Sequence, residues 1–281
     1  GIIKVIGFKI DSKSHLIGKS LRAIRSTIDK NFIVGIIERE DKAIIPTGND
    51  VIKEGDILYI PMRKIDINDI SNILKASTKP SKRIMILGGG RIGYYVASFM
   101  ERKSDIKIIE RNEERCKYLS KYLGKSLILC GDGTDQKLLL EENISDVDVF
   151  VSVSNNDEVN LMSSILAKKL GAKKAITIIN RTEYIPLAHS LGIQAVLSPR
   201  LITASSILRY VRSGDILSLT AIADGKAEIL ETRVGQNSSL IGKSLRESRL
   251  PKNSLIGAII RDEKVIIPSG ADSITREDRL I

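Results

Sequence analysis

The sequence predicts an α/β chain in which a doubly wound parallel sheet is flanked by two small α+β modules. Three observations point there. The first is an internal repeat. Leu16-Ile17-Gly18-Lys19-Ser20-Leu21 returns as Leu240-Ile241-Gly242-Lys243-Ser244-Leu245, and Ile44-Ile45-Pro46-Thr47-Gly48 returns as Ile266-Ile267-Pro268-Ser269-Gly270, at an offset of 224 residues that shortens to 222. The second is what lies between the copies. From Arg83 onward, short and wholly apolar strand-like runs alternate with helical patterns, as parallel strands covered on both faces require. The third is a glycine-rich turn, Gly88 to Gly93, set between the first of those strands and the first helix.

The first module spans residues 1–65. Lys4 to Ile10 reads as a strand, Ser14 to Ser20 as a turn and Leu21 to Ile28 as a short helix. Phe32 to Glu38 alternates like a half-buried strand. Lys42 to Pro46 and Ile57 to Ile60 follow as strands, with Gly48 and Gly55-Asp56 at the turns. Residues 66–82 form a connector: Ile65 to Leu74 suits a short helix, and the polar run Ala76 to Lys82 carries a proline. The central domain, 83–213, has strands at Arg83–Leu87, Ile106–Glu110, Ser126–Leu129, Val147–Val153, Ala175–Ile179 and Ala195–Leu197. Helical patterns at Ile92–Glu101, Glu113–Tyr122, Gln136–Glu142, Glu158–Leu170, Tyr184–Ser190 and Leu201–Arg212 separate and close them. The second module, 214–281, repeats the first from Glu228 onward and adds a strand at Asp215–Ile222. The first copy lacks that strand, and the second stops where the first runs on through Tyr59-Ile60-Pro61, so the chain reads as a fragment of a longer protein. Duplicated modules suggest an interface, because like units pack across a pseudo-twofold axis.

Composition narrows the classes. With 281 residues, 42% of them apolar, the chain can build two or three cored domains. The net charge of +10 is compatible with nucleic acid, an anionic membrane surface, an acidic protein or a phosphorylated ligand. Lys and Arg are dispersed, which argues against a basic tail. Aromatics make up only 4% and Trp is absent, leaving few platforms for stacking bases. No basic helix-turn-helix pattern is visible, so no nucleic-acid partner is expected. Cys116 and Cys130 are too few for a disulfide framework and read as reduced cytosolic thiols. No apolar stretch approaches the ~20 residues that cross a bilayer.

Gly88-Gly89-Gly90-Arg91-Ile92-Gly93 fits Gly-x-Gly-x-x-Gly between a strand and a helix, the context in which this motif carries weight. Gly88 permits the tight turn, Gly90 lets the backbone approach a pyrophosphate, and Gly93 permits close helix–strand packing. The helix N-terminus at Arg91 and Ile92 offers unpaired N–H groups to phosphate, and the Arg91 side chain adds charge. Glu110 ends the second strand, twenty residues past Gly90. A carboxylate there accepts from both ribose hydroxyls of an adenosine and repels a 2′-phosphate, favouring NAD(H) or an adenine mononucleotide over NADP. Arg111 complicates this, since an arginine at that place meets phosphate. Asp132 and Gly133 lie in the loop where adenine belongs. Ser154 and Asn155 follow the fourth strand, where small polar residues reach phosphate or a second sugar. For Asp132 and Asn155 the alternative is equally open that each caps the next helix.

Catalytic chemistry is harder to find. A dehydrogenase needs an acid/base beside the nicotinamide. The chain has two histidines, His15 in a module turn and His189 near a helix end, and both suit surface or capping roles. Cys-x-x-Cys, His-Glu-x-x-His and Gly-x-Ser-x-Gly are absent. Gly18-Lys19-Ser20 and Gly242-Lys243-Ser244 lack the first glycine of a phosphate loop, with Lys13 and Gln236 in its place, and read as a turn and helix cap. The small modules leave no room for a substrate cavity of their own. Regulation is favoured over catalysis, with an NAD-dependent oxidoreductase using a site between modules as the alternative.

The central domain resembles the RCK (KTN) family, regulators of potassium conductance. The residues that carry the likeness are Arg83 to Gly93, Ile108 to Arg115, Gly131-Asp132-Gly133-Thr134, Asn155 to Asn160 and Ser198-Pro199-Arg200. The flanking modules resemble the C-terminal ligand-sensing domains of that family, and the tandem arrangement is similar to Trk-type potassium uptake regulators. The resemblance implies a cytoplasmic, membrane-peripheral subunit. It would bind NAD(H) or ATP/ADP, assemble as a dimer of tandem units or a ring, and gate a Trk-type membrane potassium transporter without catalysing a reaction. It also implies nucleotide contacts from Gly88, Gly90, Arg91, Ile92, Gly93, Glu110 and the Asp132 loop.

Overall fold

Short runs rich in isoleucine build the first sheet. A computed structural model describes residues 3–27, 31–40, 42–74, 81–193, 195–211, 216–222 and 225–281. The chain divides into two compact units, residues 1–78 with 204–281, and residues 79–203. In the first module β1 (Ile3–Lys9), α1 (Leu21–Thr27), β2 (Ile36–Arg39), β3 (Lys42–Ile44), β4 (Ile57–Arg63) and α2 (Ile67–Ile73) form an antiparallel sheet of order β1-β4-β2-β3 with two short helices. Phe8, Ile37, Leu58, Ile60 and Ile70 are buried at its centre. The strand expected from Phe32 begins only at Ile36. Phe32 and Val34 are buried nonetheless, and Gly35 N donates to Tyr59 O at 2.8 Å as the last link of the ladder. Alternation reports burial, and here burial runs on past the strand pairing.

The second unit carries β5 (Arg83–Leu87), α3 (Arg91–Met100), β6 (Asp105–Glu110), α4 (Glu113–Tyr122), β7 (Leu127–Cys130), α5 (Gln136–Glu141), β8 (Val149–Ser152), α6 (Asp157–Lys169), β9 (Lys174–Ile178), α7 (Ile185–Ser190), β10 (Ala195–Leu197) and the start of α8 (Pro199–Val211). The six strands are parallel in the order β10-β9-β8-β5-β6-β7. This is the doubly wound Rossmann order, which reverses direction between β5 and β8. The apolar runs are explained by two-sided burial. Ile84 and Ile86 pack with Ala97 and Leu119 on one face, while Met85 and Leu87 pack with Leu139 and Phe150 on the other.

The second module repeats the plan with β11 (Ile216–Ile222), β12 (Ala227–Arg233), β13 (Ile259–Arg261), β14 (Lys264–Ile266) and β15 (Arg279–Leu280). Its order, β11-β12-β15-β13-β14, is the first sheet with one strand added at the edge. The counterpart of α1 is reduced to a single turn, Ser248 N on Ser244 O at 3.0 Å. Pro251 has no N–H to extend it. Each module buries the same ion pair. Arg39 grips Asp56 with two bonds of 2.7 and 2.8 Å, and Arg261 grips Asp278 with 2.8 and 2.7 Å. Gly18 and Gly242 both adopt positive φ (79° and 77°), and Ser20 Oγ accepts from Ala23 N at 3.3 Å. The Gly-Lys-Ser segments are therefore turns, with a cap in the first copy.

Within the first unit the two modules meet through equivalent residues. Leu21, Arg22, Pro46 and Gly48 face Leu245, Arg246, Pro268 and Gly270 around a cleft of about 460 Å³. Gly257 packs so near Pro61 that a Cβ would lie 2.8 Å from its ring. The cleft is lined by both modules together; the duplication creates it.

Candidate functional site

The candidate site is the crevice expected at the carboxyl ends of β5, β6, β7 and β8, where the strand order reverses. After Leu87 the chain must turn at once into α3. Gly88 does so at φ 102°, with Ser154 N only 2.8 Å from where a Cβ would stand. Gly93 is the tightest point, because a Cβ there would lie 1.9 Å from Gly88 O. Gly90 is the opposite case: a Cβ would meet nothing within 4 Å. That side of the turn is open. The first α3 amide with an intrahelical carbonyl is Tyr94 N, on Gly90 O at 3.0 Å. The amides of Arg91, Ile92 and Gly93 precede it and, with the helix dipole, favour an anion. Arg91 and Ile92 are exposed at this mouth.

Glu110 stands at the end of β6 with both oxygens already engaged. Oε2 accepts from Gly89 N at 2.8 Å and Oε1 from Asn112 N at 2.9 Å. A carboxylate oxygen accepts more than one bond, so lone pairs remain for ribose hydroxyls. The glycine loop is thus fixed by the residue expected to read the sugar. Arg111 is exposed beside it.

Asp132 folds its own loop, accepting from Thr134 N at 2.8 Å and Thr134 Oγ1 at 2.7 Å. Those bonds, and more weakly the Arg111 charge, hold its carboxyl below the ordinary aspartate value against the opposing effect of burial. Asp132 is not a helix cap: Asp135 caps α5, accepting from Lys137 N. Asn155 is not one either, since Asn156 caps α6 through Val159 N. Gly133 is required by packing, because a Cβ would lie 2.1 Å from Leu87 Cδ1. Ser154 is held at backbone and side chain by Asn160 Oδ1, at 2.9 and 2.6 Å, while Asn155 is exposed to solvent.

Two residues beyond the expected set shape the crevice. Arg115 Nε donates to Gly89 O at 2.6 Å and its Nη2 to Gly90 O at 3.3 Å, with the guanidinium 4.4 Å above the Tyr118 ring. It clamps the turn from α4. Asn160 is fully buried and also donates to Ser154 O and Ile178 O, both at 3.0 Å, tying β8 to β9. Next to it, buried Asp157 accepts from Asn180 N at 3.0 Å and Arg181 N at 2.8 Å. Burial pushes the Asp157 carboxyl up, but these bonds outweigh it and the net shift is downward. Arg181 itself lies in the open, on Glu158 at 3.2 Å. Among the described residues no group of three or more His, Cys, Asp and Glu is placed to hold a metal, and no helix is long and apolar enough to cross a membrane.

Residues 84–199 match the family model of the TrkA-N domain, and residues 5–75 and 229–281 each match the TrkA-C domain. The chain belongs to the TrkA-N/TrkA-C family. It is 36% identical over 283 aligned residues to "Trk system potassium uptake protein TrkA homolog 1" of Methanosarcina mazei, covering 100% of this chain and 63% of that protein. It is 35% identical to "Trk system potassium uptake protein TrkA" of Vibrio alginolyticus, covering 99% and 62%. The chain therefore spans somewhat under two thirds of the length of these TrkA proteins. Among solved structures, the GsuK channel superposes with a TM-score of 0.58 at 18% identity, covering 100% of this chain and 50% of that one. The GsuK channel bound to NAD gives 0.53 at 17% identity with the same coverage. At such identity the likeness speaks for a shared fold, a TrkA-N domain of Rossmann type with TrkA-C modules.

Proposed function

We propose that this chain is the nucleotide-sensing part of a cytoplasmic regulator that gates a membrane potassium-uptake transporter. One observation carries the reading. At Gly90 the backbone is open at the place where an anion would sit on the amides of 91–93, while Gly88, Gly93 and Glu110 fix the turn around it. The residues present fit an adenine nucleotide, NAD(H) or ATP/ADP. The diphosphate would rest on the α3 N-terminus beside Arg91 and Ile92, and the adenosine ribose on Glu110. Arg111, Asp132, Gly133, Ser154 and Asn155 would line the rim. The NAD bound to a GsuK channel of like fold supports the choice of ligand class, and the potassium-uptake names of the relatives support the partner.

The same proposal divides the chain into modules 1–65 and 214–281, a connector 66–82 and a nucleotide domain 83–213. It makes the modules assembly and sensing surfaces within a homo-oligomer on the inner face of the membrane. Its action is binding without turnover. To gate transport, ligands that differ in phosphate count must bind two shapes of the assembly with different affinity. Arg91 and the Arg115-clamped turn are where that difference acts, because they meet the phosphates. Titration calorimetry of the chain with NADH, NAD, ATP and ADP tests this. Saturable one-site binding of at least one is expected. Absence of binding by all four, or steady consumption of the cofactor, would rule it out.

A further inference from the structure

The chain has two cysteines, one in contact with Glu110 and the other at the end of β7. Cys116 is buried in α4, whereas Cys130 is exposed at the end of β7. Their sulfurs lie 2.8 Å apart. A disulfide has its sulfurs about 2.05 Å apart, so closure calls for a movement of under about 1 Å. The Cys116 thiol also reaches Glu110 O at 3.2 Å. We propose that Cys116 and Cys130 form a peroxide-reactive dithiol whose closure to a disulfide weakens adenine-nucleotide binding in the adjoining crevice. The binding half rests on the function proposed above; the closure does not.

The two thiols divide the work by exposure. Cys130 meets solvent and takes the oxidant. Its thiolate attacks one oxygen of hydrogen peroxide, the O–O bond breaks, and with one proton the other oxygen leaves as water. Cys130 becomes a sulfenic acid. Burial first, and then the hydrogen bond with Cys130, push the Cys116 thiol up to about 12, so it stays protonated and shielded from bulk oxidant. Its proton passes to the sulfenic oxygen as its sulfur attacks the sulfenic sulfur, so the nucleophile acts as a thiolate; the S–O bond breaks and the oxygen leaves as a second water. Two thiols lose two electrons and two hydrogens, and one peroxide is reduced to two waters.

The bond joins two parts that face the ligand. Arg115, next to Cys116, holds the carbonyls of Gly89 and Gly90. Gly131, next to Cys130, donates to Glu110 O at 2.9 Å and begins the Asp132 loop. Closure draws the end of β7 toward α4 and removes the thiol donor from Glu110 O. A disturbance equal to about one neutral hydrogen bond weakens binding roughly threefold to tenfold.

The test exposes the purified chain to equimolar hydrogen peroxide. The expected product is a monomer lighter by two hydrogens, with both thiols lost to a thiol reagent and restored by dithiothreitol. Its calorimetric affinity for NADH should be roughly threefold to tenfold weaker than that of the reduced chain. Cys130→Ser should form no intramolecular bond, and its affinity should ignore peroxide; Cys116→Ala should stop at the sulfenic acid. Thiols that stay free, a disulfide-linked dimer, or a sulfinic product without closure would overturn the dithiol. A closed disulfide with unchanged NADH affinity would overturn the switch. If the reduced chain binds no nucleotide, the functional reading and the binding half fall together, and mass and thiol count still decide the closure.

Discussion

Gly90 and Gly93 are both glycines of one motif, yet the structure assigns them opposite liabilities. At Gly93 an added methyl would lie 1.9 Å from Gly88 O. The obstacle is backbone, and Gly88 at φ 102° has little freedom to retreat. Overpacking of this kind costs about 1–3 kcal/mol, and Gly93→Ala belongs at the top of that range. Gly90 has φ −62° and ψ −164°, open to any residue, and no protein atom lies within 4 Å of an added Cβ. Loss of chain entropy in the unfolded state favours Gly90→Ala by about 0.4–1 kcal/mol, and loss of a tolerated N-cap residue costs a similar amount. The two offset, so Gly90→Ala should unfold within about 1 kcal/mol of the parent. In Gly90→Val the branched side chain would occupy the space proposed for the phosphate. Losing one charge-assisted hydrogen bond, about 1.5–3 kcal/mol, weakens nucleotide binding roughly tenfold to a hundredfold. Urea unfolding paired with calorimetry on Gly90→Ala, Gly90→Val and Gly93→Ala reads both quantities. Gly90→Val with parental NADH affinity would remove the phosphate from this turn, and Gly93→Ala with a parental unfolding midpoint would disprove the packing conflict.

Other substitutions probe the rest of the structure. Glu110→Ala removes the acceptor for Gly89 N and the proposed acceptor for the ribose, and should weaken NADH by about tenfold in calorimetry; parental affinity would exclude Glu110 as the sugar contact. Asn160→Leu strands Ser154 N and the carbonyls of Ser154 and Ile178, and should cost about 2–4 kcal/mol in denaturant unfolding. Asp56→Ala and Asp278→Ala each leave an arginine without its partner. About 3 kcal/mol is expected from each, the low end for buried pairs, because the Arg39 and Arg261 side chains keep 20% and 33% of their exposure. Burial pushes the Asp278 carboxyl up, but the bonds from Arg261 and Thr275 pull it further down, to a net value below the ordinary one. Its stabilisation is therefore complete above the unfolded-state pKa of about 3.9 and lost as the pH falls through the lower folded value. Asp278→Asn should flatten the acid limb of the stability profile over that window.

The parts of this fold that can be read from the sequence are those encoded locally. Wholly apolar strands, helix periods and the spacing of Gly88, Gly90 and Gly93 specify the doubly wound domain, and the repeat of Leu-Ile-Gly-Lys-Ser specifies the two modules. What escapes depends on residues distant in the chain. Arg115 sits in an ordinary charged helix, and only the packing of α4 brings it to Gly89 O. Asn160 looks like a surface residue of α6 until β8 and β9 bury it. Gly133 is legible as a loop glycine, but its cause, the Leu87 side chain, is 46 residues away. The cysteines, fourteen residues apart, look unrelated because one ends a strand and the other lies inside a helix. The truncated strand at Phe32 and the single turn after Ser244 show the converse limit. Apolar alternation and a repeated motif specify what is buried, while pairing partners and a downstream proline decide what is regular.

Nucleotide binding at the glycine turn is best decided by a crystal structure of the chain soaked with NADH. Diphosphate density is expected over the α3 N-terminus, within hydrogen-bond reach of the amides of 91–93, with a ribose on Glu110. Density instead in the cleft between the two small modules, or a crevice left empty at saturating ligand, would be incompatible with a nucleotide sensor built on this turn.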